Sequence, residues 1–315
     1  MNLHTINSNP APRLAAALAE FETQFTYPLG PGKSFRIDHG QDYPRFYRAM
    51  GDNACFVAER NGKVLGVLSA ALRTLNLPFG DQRTVVYVGD LKVAPGKPGG
   101  RTVLRLILRL RRWARQRAVA AYSIVMDGTQ VTPVRYTGRL GIEPFVELGK
   151  LVILSIPTHI GGKPKSNSWR NDELPARKCY QNLSQHSARC LESNPGIRSF
   201  MKPYWLVHPE SHAAGLLEDT RQAKRLIGMN GKEMIRSHLS FCAWSNHASA
   251  LALLREALRS SADRGFDEMF VAVSPQEANS LVADLGVAGV TLAPATIYGY
   301  GLDAGMDWSV NTSEI

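Results

Sequence analysis

The sequence predicts an α/β protein of two similar domains, each a mixed β-sheet flanked by helices. Three observations carry this. At 315 residues the chain is too long for one ordinary core and suits two of about 150 residues each. A β-rich run from Thr84 to Val93, a glycine-rich turn and an amphipathic run from Arg101 to Arg117 form a strand–turn–helix unit. A similar unit recurs in the second half.

The elements follow in order. Residues 10–27 predict a helix, Ser34 to His39 a strand and Asp42 to Met50 a short helix. Cys55 to Glu59 and Val64 to Thr74 read as strands joined by Asn61-Gly62, a strong hairpin signal. Pro78-Phe79-Gly80-Asp81 is a turn before the strand Thr84 to Val93. In the helix beyond, Val103, Leu106, Ile107, Leu110 and Trp113 keep helical spacing and predict the buried stripe. Tyr122 to Met126 predicts a strand, and Thr132 to Leu140 a short helix ended by Gly141. Phe145 to Ile156 closes the domain as a β segment. Thr158 to Pro175, with Gly161-Gly162 and Ser, Asn and Lys, reads as a linker. The division is therefore 1–160, a linker over 161–175, and 176–315.

The second half echoes the first. Asn230-Gly231-Lys232 matches Asn61-Gly62-Lys63, and His247 to Arg264 matches the first amphipathic helix. Met269 to Val273, Leu285-Gly286-Val287 and Thr291 to Leu302 match the later strands and turn. On this alignment the second copy lacks a segment equivalent to Leu75–Gly96, and Trp244-Ser245-Asn246-His247 enters its helix without a glycine.

Composition bounds the rest. The chain is 44% hydrophobic and 20% charged, and no apolar run reaches the roughly 18 residues that span a bilayer. Met1 to Pro12 shows no secretory pattern. Cys55, Cys179, Cys190 and Cys242 form no C-x-x-C pair, which predicts reduced thiols, no metal site and a cytoplasmic location. The net charge is +10, and eight basic residues with no acidic one lie between Lys97 and Arg117. No aromatics interleave these arginines and no helix-turn-helix or zinc pattern accompanies them, which argues against a nucleic-acid partner.

Gly96-Lys97-Pro98-Gly99-Gly100-Arg101-Thr102 carries the chemistry. A glycine-rich turn opening a helix offers unpaired N–H groups and the positive end of the helix dipole to an anion, with no Cβ in the way. It is neither of the two commonest phosphate loops.

Asp90-Leu91-Lys92-Val93-Ala94-Pro95 followed by this turn resembles the GCN5-related N-acetyltransferase (GNAT) superfamily. The family pattern is L-x-V-x-P, then [QR]-x-x-G-x-[GA], then a helix. Lys97 replaces Gln or Arg, and Thr102 replaces the last small residue. Thr137-Gly138-Arg139-Leu140-Gly141-Ile142 resembles the family's Y-x-x-L-G-F. The resemblance covers about residues 34–156. It implies a tandem GNAT fold with a degenerate second copy and acetyl-CoA or another acyl-CoA as co-substrate, no metal being required. Lys97, Gly99, Gly100, Arg101 and Thr102 would hold the pyrophosphate, and Leu91 and Val93 the pantetheine arm.

The implied reaction is direct attack of an amine, on a small molecule or a peptide, on the acyl thioester. The position matching the family's base is Tyr87 rather than Glu, and strand parity puts Asp90 on the opposite face. The position matching the general-acid tyrosine is Thr137, with Tyr136 one residue before it. Two other readings stay open: a non-catalytic acyl-CoA sensor or scaffold, and a long-chain N-acyltransferase. His39, His159, His238 and His247 have no partner spacing and read as structural. Asp127-Gly128 reads as a turn, and Tyr298 and Tyr300 as one packed face. Acceptor and oligomeric state have no motif.

Overall fold

The computed structural model describes residues 1–96, 100–159 and 169–315. The first half runs β1 (Asn2–Ile6), α1 (Pro12–Glu22), β2 (Tyr27–Pro28), β3 (Ser34–Asp38), α2 (Arg45–Arg48), β4 (Asn53–Arg60), β5 (Lys63–Asn76), β6 (Gln82–Val93), α3 (Gly100–Ala114), β7 (Ala120–Met126), α4 (Pro133–Tyr136) and β8 (Val146–Pro157). The second runs α5 (Glu173–Leu183), β9 (Ala188–Cys190), α6 (Pro195–Arg198), β10 (Tyr204–Val207), β11 (Ala213–Glu218), β12 (Arg225–Gly228), β13 (Arg236–Trp244), α7 (His247–Ala262), β14 (Glu268–Val273), α8 (Pro275–Leu285), β15 (Thr291–Tyr300) and β16 (Trp308–Ser309). A single 3₁₀ turn, Thr312–Glu314, follows. Helix α5 starts inside the stretch read as linker. Residues 161–168 of that stretch lie outside the described residues.

The main sheet has the order β1-β4-β5-β6-β7-β15-β8-β14-β13-β11-β10. Its centre is an exchange. β15, from the second half, pairs antiparallel with β7, while β8, from the first half, pairs antiparallel with β14. β8 and β15 also pair with each other from Ser155↔Thr291 to Val146↔Gly299. Each half thus receives the other half's closing strand, and one hydrogen-bonded surface runs through both. Gly299 makes this junction possible. A Cβ there would lie 2.4 Å from the Ala121 carbonyl oxygen and 2.7 Å from Leu148 Cδ1.

Two further ties bind the halves. β12 pairs antiparallel with β3, and β3 with β2, in a small second sheet. The fully buried Arg198 guanidinium meets Glu218 at 2.8 Å through two nitrogens and Glu314 at 3.3 Å, and Arg73 of β5 meets Glu314 at 3.2 Å. Buried charges are retained when paired, and here each cation meets a carboxylate.

The repeat is real, but one echo falls elsewhere. Asn61-Gly62 joins β4 to β5 as expected. Asn230-Gly231 instead lies just after β12 in the small sheet, where Ile227 bridges Glu233. The second copy's counterpart of β4–β5 is the hairpin β10–β11. The second copy therefore loses little chain before β13. What it lacks is the turn itself, because only Ser245 and Asn246 separate β13 from α7. The helix predicted over Thr132 to Leu140 is a single turn, α4. Gly138, Leu140 and Gly141 all take left-handed φ values near +55° to +74°, which a continuing helix excludes.

Candidate active site

β6 and β7 run parallel but pair only over Val85–Tyr87 and Ala120–Tyr122. Beyond that point the two strands no longer pair, and β6 carries a β-bulge. Ser69 faces Gly89 and Val67 faces Lys92, so Asp90 and Leu91 stand outside the ladder opposite Leu68. Asp90 adopts φ +52° to do so. A cavity of about 450 Å³ occupies the gap and is lined by residues from both faces of the sheet.

The two faces differ chemically. Toward α3 the wall is apolar, made by Leu68, Val86, Val88, Ile107, Leu110 and Phe145, with the Tyr300 ring tilted against Phe145 at 5.5 Å between centroids. On the other face stand Tyr27, His39, Tyr47, Asp90, Lys92, Lys224 and His238. Lys92 Nζ lies 2.9 Å from Asp90 and 3.2 Å from Glu22. His39 Nδ1 lies 2.6 Å from Glu22, and its Nε2 is 3.4 Å from Asp90. Tyr43 donates to Asp90 at 3.1 Å.

Burial alone would raise the Asp90 and Glu22 carboxyls. For Asp90 the Lys92 ammonium and then His39 outweigh burial; for Glu22 it is His39 and then Lys92, and both groups are held below the usual carboxylate range. Burial works against the Lys92 ammonium too, but Asp90 keeps it charged well past the ordinary range. Burial, helped by Arg198 and Lys92 and opposed by Asp90, lowers Lys224 to about 7, and its Nζ donates to the main-chain oxygen of Ile315. Burial, and then Lys224, hold the His238 imidazole neutral. Three buried polar atoms on the cavity wall have no hydrogen-bond partner among the described residues: Tyr27 Oη, His39 Nε2 and Ser123 Oγ. These three atoms leave hydrogen-bonding capacity free on the cavity wall.

The residues singled out in the sequence fall as follows. Tyr87 and Asp90 both reach the cavity, because the bulge reverses strand parity between them and brings Asp90 onto the Tyr87 face. The parity argument against Asp90 therefore fails. Tyr136 and Thr137 also line the cavity. Thr137 is occupied, donating to the Pro133 carbonyl at 2.8 Å and accepting from Phe145 N–H at 2.9 Å. Burial pushes the hydroxyls of Tyr87 and Tyr136 up, so both stay protonated.

Leu91 is on the wall; Val93 pairs with Gly66 and is not. Gly100 begins α3 with nothing within 4 Å of an added Cβ, and Arg101 is exposed. The Thr102 side chain is buried over Gly66 and meets Met1 Sδ at 3.9 Å, so its hydroxyl is turned to packing. Lys97 and Gly99 lie outside the described residues.

His39 and His238 are cavity residues, not merely structural ones. Nothing in their sequence spacing signals this, since their partners come from α1, β6 and the chain around Thr312. His247 pairs with Asp284 at 2.7 Å, and Asp127 accepts from Thr296 at 2.8 Å as a turn residue.

The second copy repeats the bulge and fills it. Phe241 takes φ +45°, with Ala214↔Ala243 and Leu216↔Ser240 on either side. There the Phe241 N–H donates to Asn311 Oδ1 at 2.7 Å. At the start of α7 the Asn246 side chain accepts from Ser249 N–H at 2.9 Å. Both positions where a ligand would bind are taken by the protein's own amides.

Two bulged, splayed units sharing exchanged closing strands define a tandem GNAT fold. The sequence matches no protein-family profile and no curated protein. Among solved structures it is similar to Saccharomyces cerevisiae N-myristoyltransferase with bound myristoyl-CoA, with a TM-score of 0.65 over 98% of this chain and 85% of that one, at 11% identity. A structure of that enzyme with bound myristoyl-CoA and inhibitors gives a TM-score of 0.66 over 99% and 83%, also at 11% identity. At that identity the likeness is one of fold.

Proposed function

We propose that the chain transfers a long acyl group from an acyl-coenzyme A to an amine. The observation that carries this reading is the cavity that crosses the sheet at the β6 bulge. Its volume of about 450 Å³ falls in the range of about 300–1,000 Å³ for sites of drug-sized ligands, and its α3 side is apolar. An acetyl group would leave most of that wall bare. The bound myristoyl-CoA of the fold's neighbours supports the same assignment.

In this reading Gly99, Gly100 and the first-turn N–H groups of α3 hold the pyrophosphate, with Lys97 and Arg101 alongside. Thr102 contributes its main chain only. The bulge at Asp90-Leu91 offers N–H groups outside the ladder to the thioester carbonyl, whose oxygen gains charge during attack. The amine arrives on the polar face. Glu22 orients His39 through Nδ1, leaving the unbonded Nε2 to take the ammonium proton, and Asp90 stabilises the imidazolium that results. The amine nitrogen then bonds the carbonyl carbon as the carbon–sulfur bond breaks. The proton shed in that step goes to the departing thiolate, to which Tyr136 donates a hydrogen bond. Tyr87 packs beside Asp90 and keeps water out. The four free thiols fit a cytoplasmic setting.

Thiol release from myristoyl-CoA and acetyl-CoA with a panel of amines tests the reading. Amine-dependent release that favours the long chain is expected. Preference for acetyl-CoA would restore the short-chain assignment, and binding without turnover would leave an acyl-CoA sensor.

A further inference from the structure

The outer surface beside the cavity mouth combines exposed apolar side chains with arginines that have no ion-pair partner among the described residues. Arg101, Arg105, Leu108 and Arg112 of α3, with Arg115 just past its end, recur at intervals of three and four and form an exposed stripe. Among the described residues none of these four arginines has an ion-pair partner. Where arginines of this helix are engaged, they lie off the stripe: Arg111 pairs with Glu143, Arg117 with Asp52, and Arg109 meets Thr5.

The loop after β7 lies along the edge of α3 that flanks the stripe, tied there by Arg111 donating to the Gly141 carbonyl. It adds exposed Arg135 and Arg139 and three large apolar side chains facing water: Leu140 at 73% exposure, Val131 at 55% and Val134 at 55%. Leu140 is held at φ +55°, a conformation a leucine rarely keeps. Water alone gives no reason to present leucine and valines among unpaired arginines. A basic surface with apolar tips is the pattern of a protein that rests on an anionic membrane interface. Val131, Arg115, Gln116 and Tyr136 also line the cavity, so the cavity opens on this same surface.

We propose that the α3 stripe and the 131–141 loop dock on an anionic phospholipid bilayer, setting the cavity mouth against the lipid. Nucleic acid would satisfy the arginines but not Leu140, Val131 and Val134. The surface reading stands apart from the acyltransferase reading, since it needs no turnover.

The test is co-sedimentation of the full chain with vesicles of phosphatidylcholine alone or mixed with phosphatidylglycerol, without any coenzyme A present. Binding to the mixed vesicles only is expected. The double variant Arg105→Glu, Arg112→Glu should weaken it on the order of ten-fold or more. Leu140→Asp should weaken it even at salt that screens the charges. Neither change touches the cavity wall, so acyl-CoA binding in solution should stay as in the parent. No binding to mixed vesicles, equal binding to both kinds, an unaffected Leu140→Asp variant, or a preference for single-stranded RNA over vesicles would each overturn the proposal. Loss of acyl-CoA binding in the parent protein would instead strike the acyltransferase reading.

Discussion

At the scale of the residue, chemistry concentrates in one buried set: Glu22, His39, Asp90 and Lys92. Two carboxylates and two bases come from α1, the end of β3 and the β6 bulge. Lys92 and His39 stand between the two acids and keep them ionised, Lys92 chiefly Asp90 and His39 chiefly Glu22. That leaves His39 Nε2 as the unbonded nitrogen on the wall. His39→Gln should lower kcat by about 10²–10⁴ while acyl-CoA affinity stays unchanged. Single-turnover kinetics checks this, and an unaltered rate would remove His39 from the chemistry. Gly100→Trp should abolish acyl-CoA binding and leave the thermal midpoint alone, because an added Cβ there meets no protein atom within 4 Å and the position is exposed.

At the scale of the element, the bulge and the exchange decide where the site lies. Gly299 in β15 approaches the Ala121 carbonyl too closely for any Cβ. Gly299→Ala should therefore cost about 1–3 kcal/mol in chemical unfolding, with no loss for Gly100→Ala, where an added Cβ meets nothing within 4 Å. The strand–turn–helix unit over 84–117 and its later echo were legible in the sequence, since periodicity and glycines report local geometry. The site was legible only in part. Tyr87, Asp90, Leu91 and Tyr136 reach the cavity, but the bulge that brings Asp90 round is set by its pairing with β5, which no local pattern reports. His39, Lys92 and Glu22 meet only after α1 and the small sheet fold against β6. The exchange of β8 and β15 was hidden for the same reason: either strand suits either half.

At the scale of the whole molecule, the halves are locked by one continuous sheet, by β12 on β3 and by the buried Arg198 network. Arg198→Met leaves Glu218 and Glu314 facing a lost cation and should cost about 3–5 kcal/mol. Burial would raise Glu22, Asp90 and Glu314, but their cationic neighbours hold all three below their unfolded values. Groups lowered on folding stabilise above the unfolded carboxyl value of about 4 and lose that contribution as the pH falls through the folded value. The thermal midpoint should thus decline gently below about pH 6.5, where His238 takes up a proton unfolded but not folded, and drop steeply below about 4. A flat midpoint into strong acid would mean that these carboxylates are not paired in solution.

The account rests on a single acyl-CoA site in the first half, the second copy having filled its own bulge and helix start with Asn311 and Asn246. Calorimetric titration of the full chain with myristoyl-CoA and acetyl-CoA, counting sites, tests it most directly. One site per chain, tighter for myristoyl-CoA and absent in Gly100→Trp, is the predicted result. Two sites per chain, or none for either donor, would contradict it.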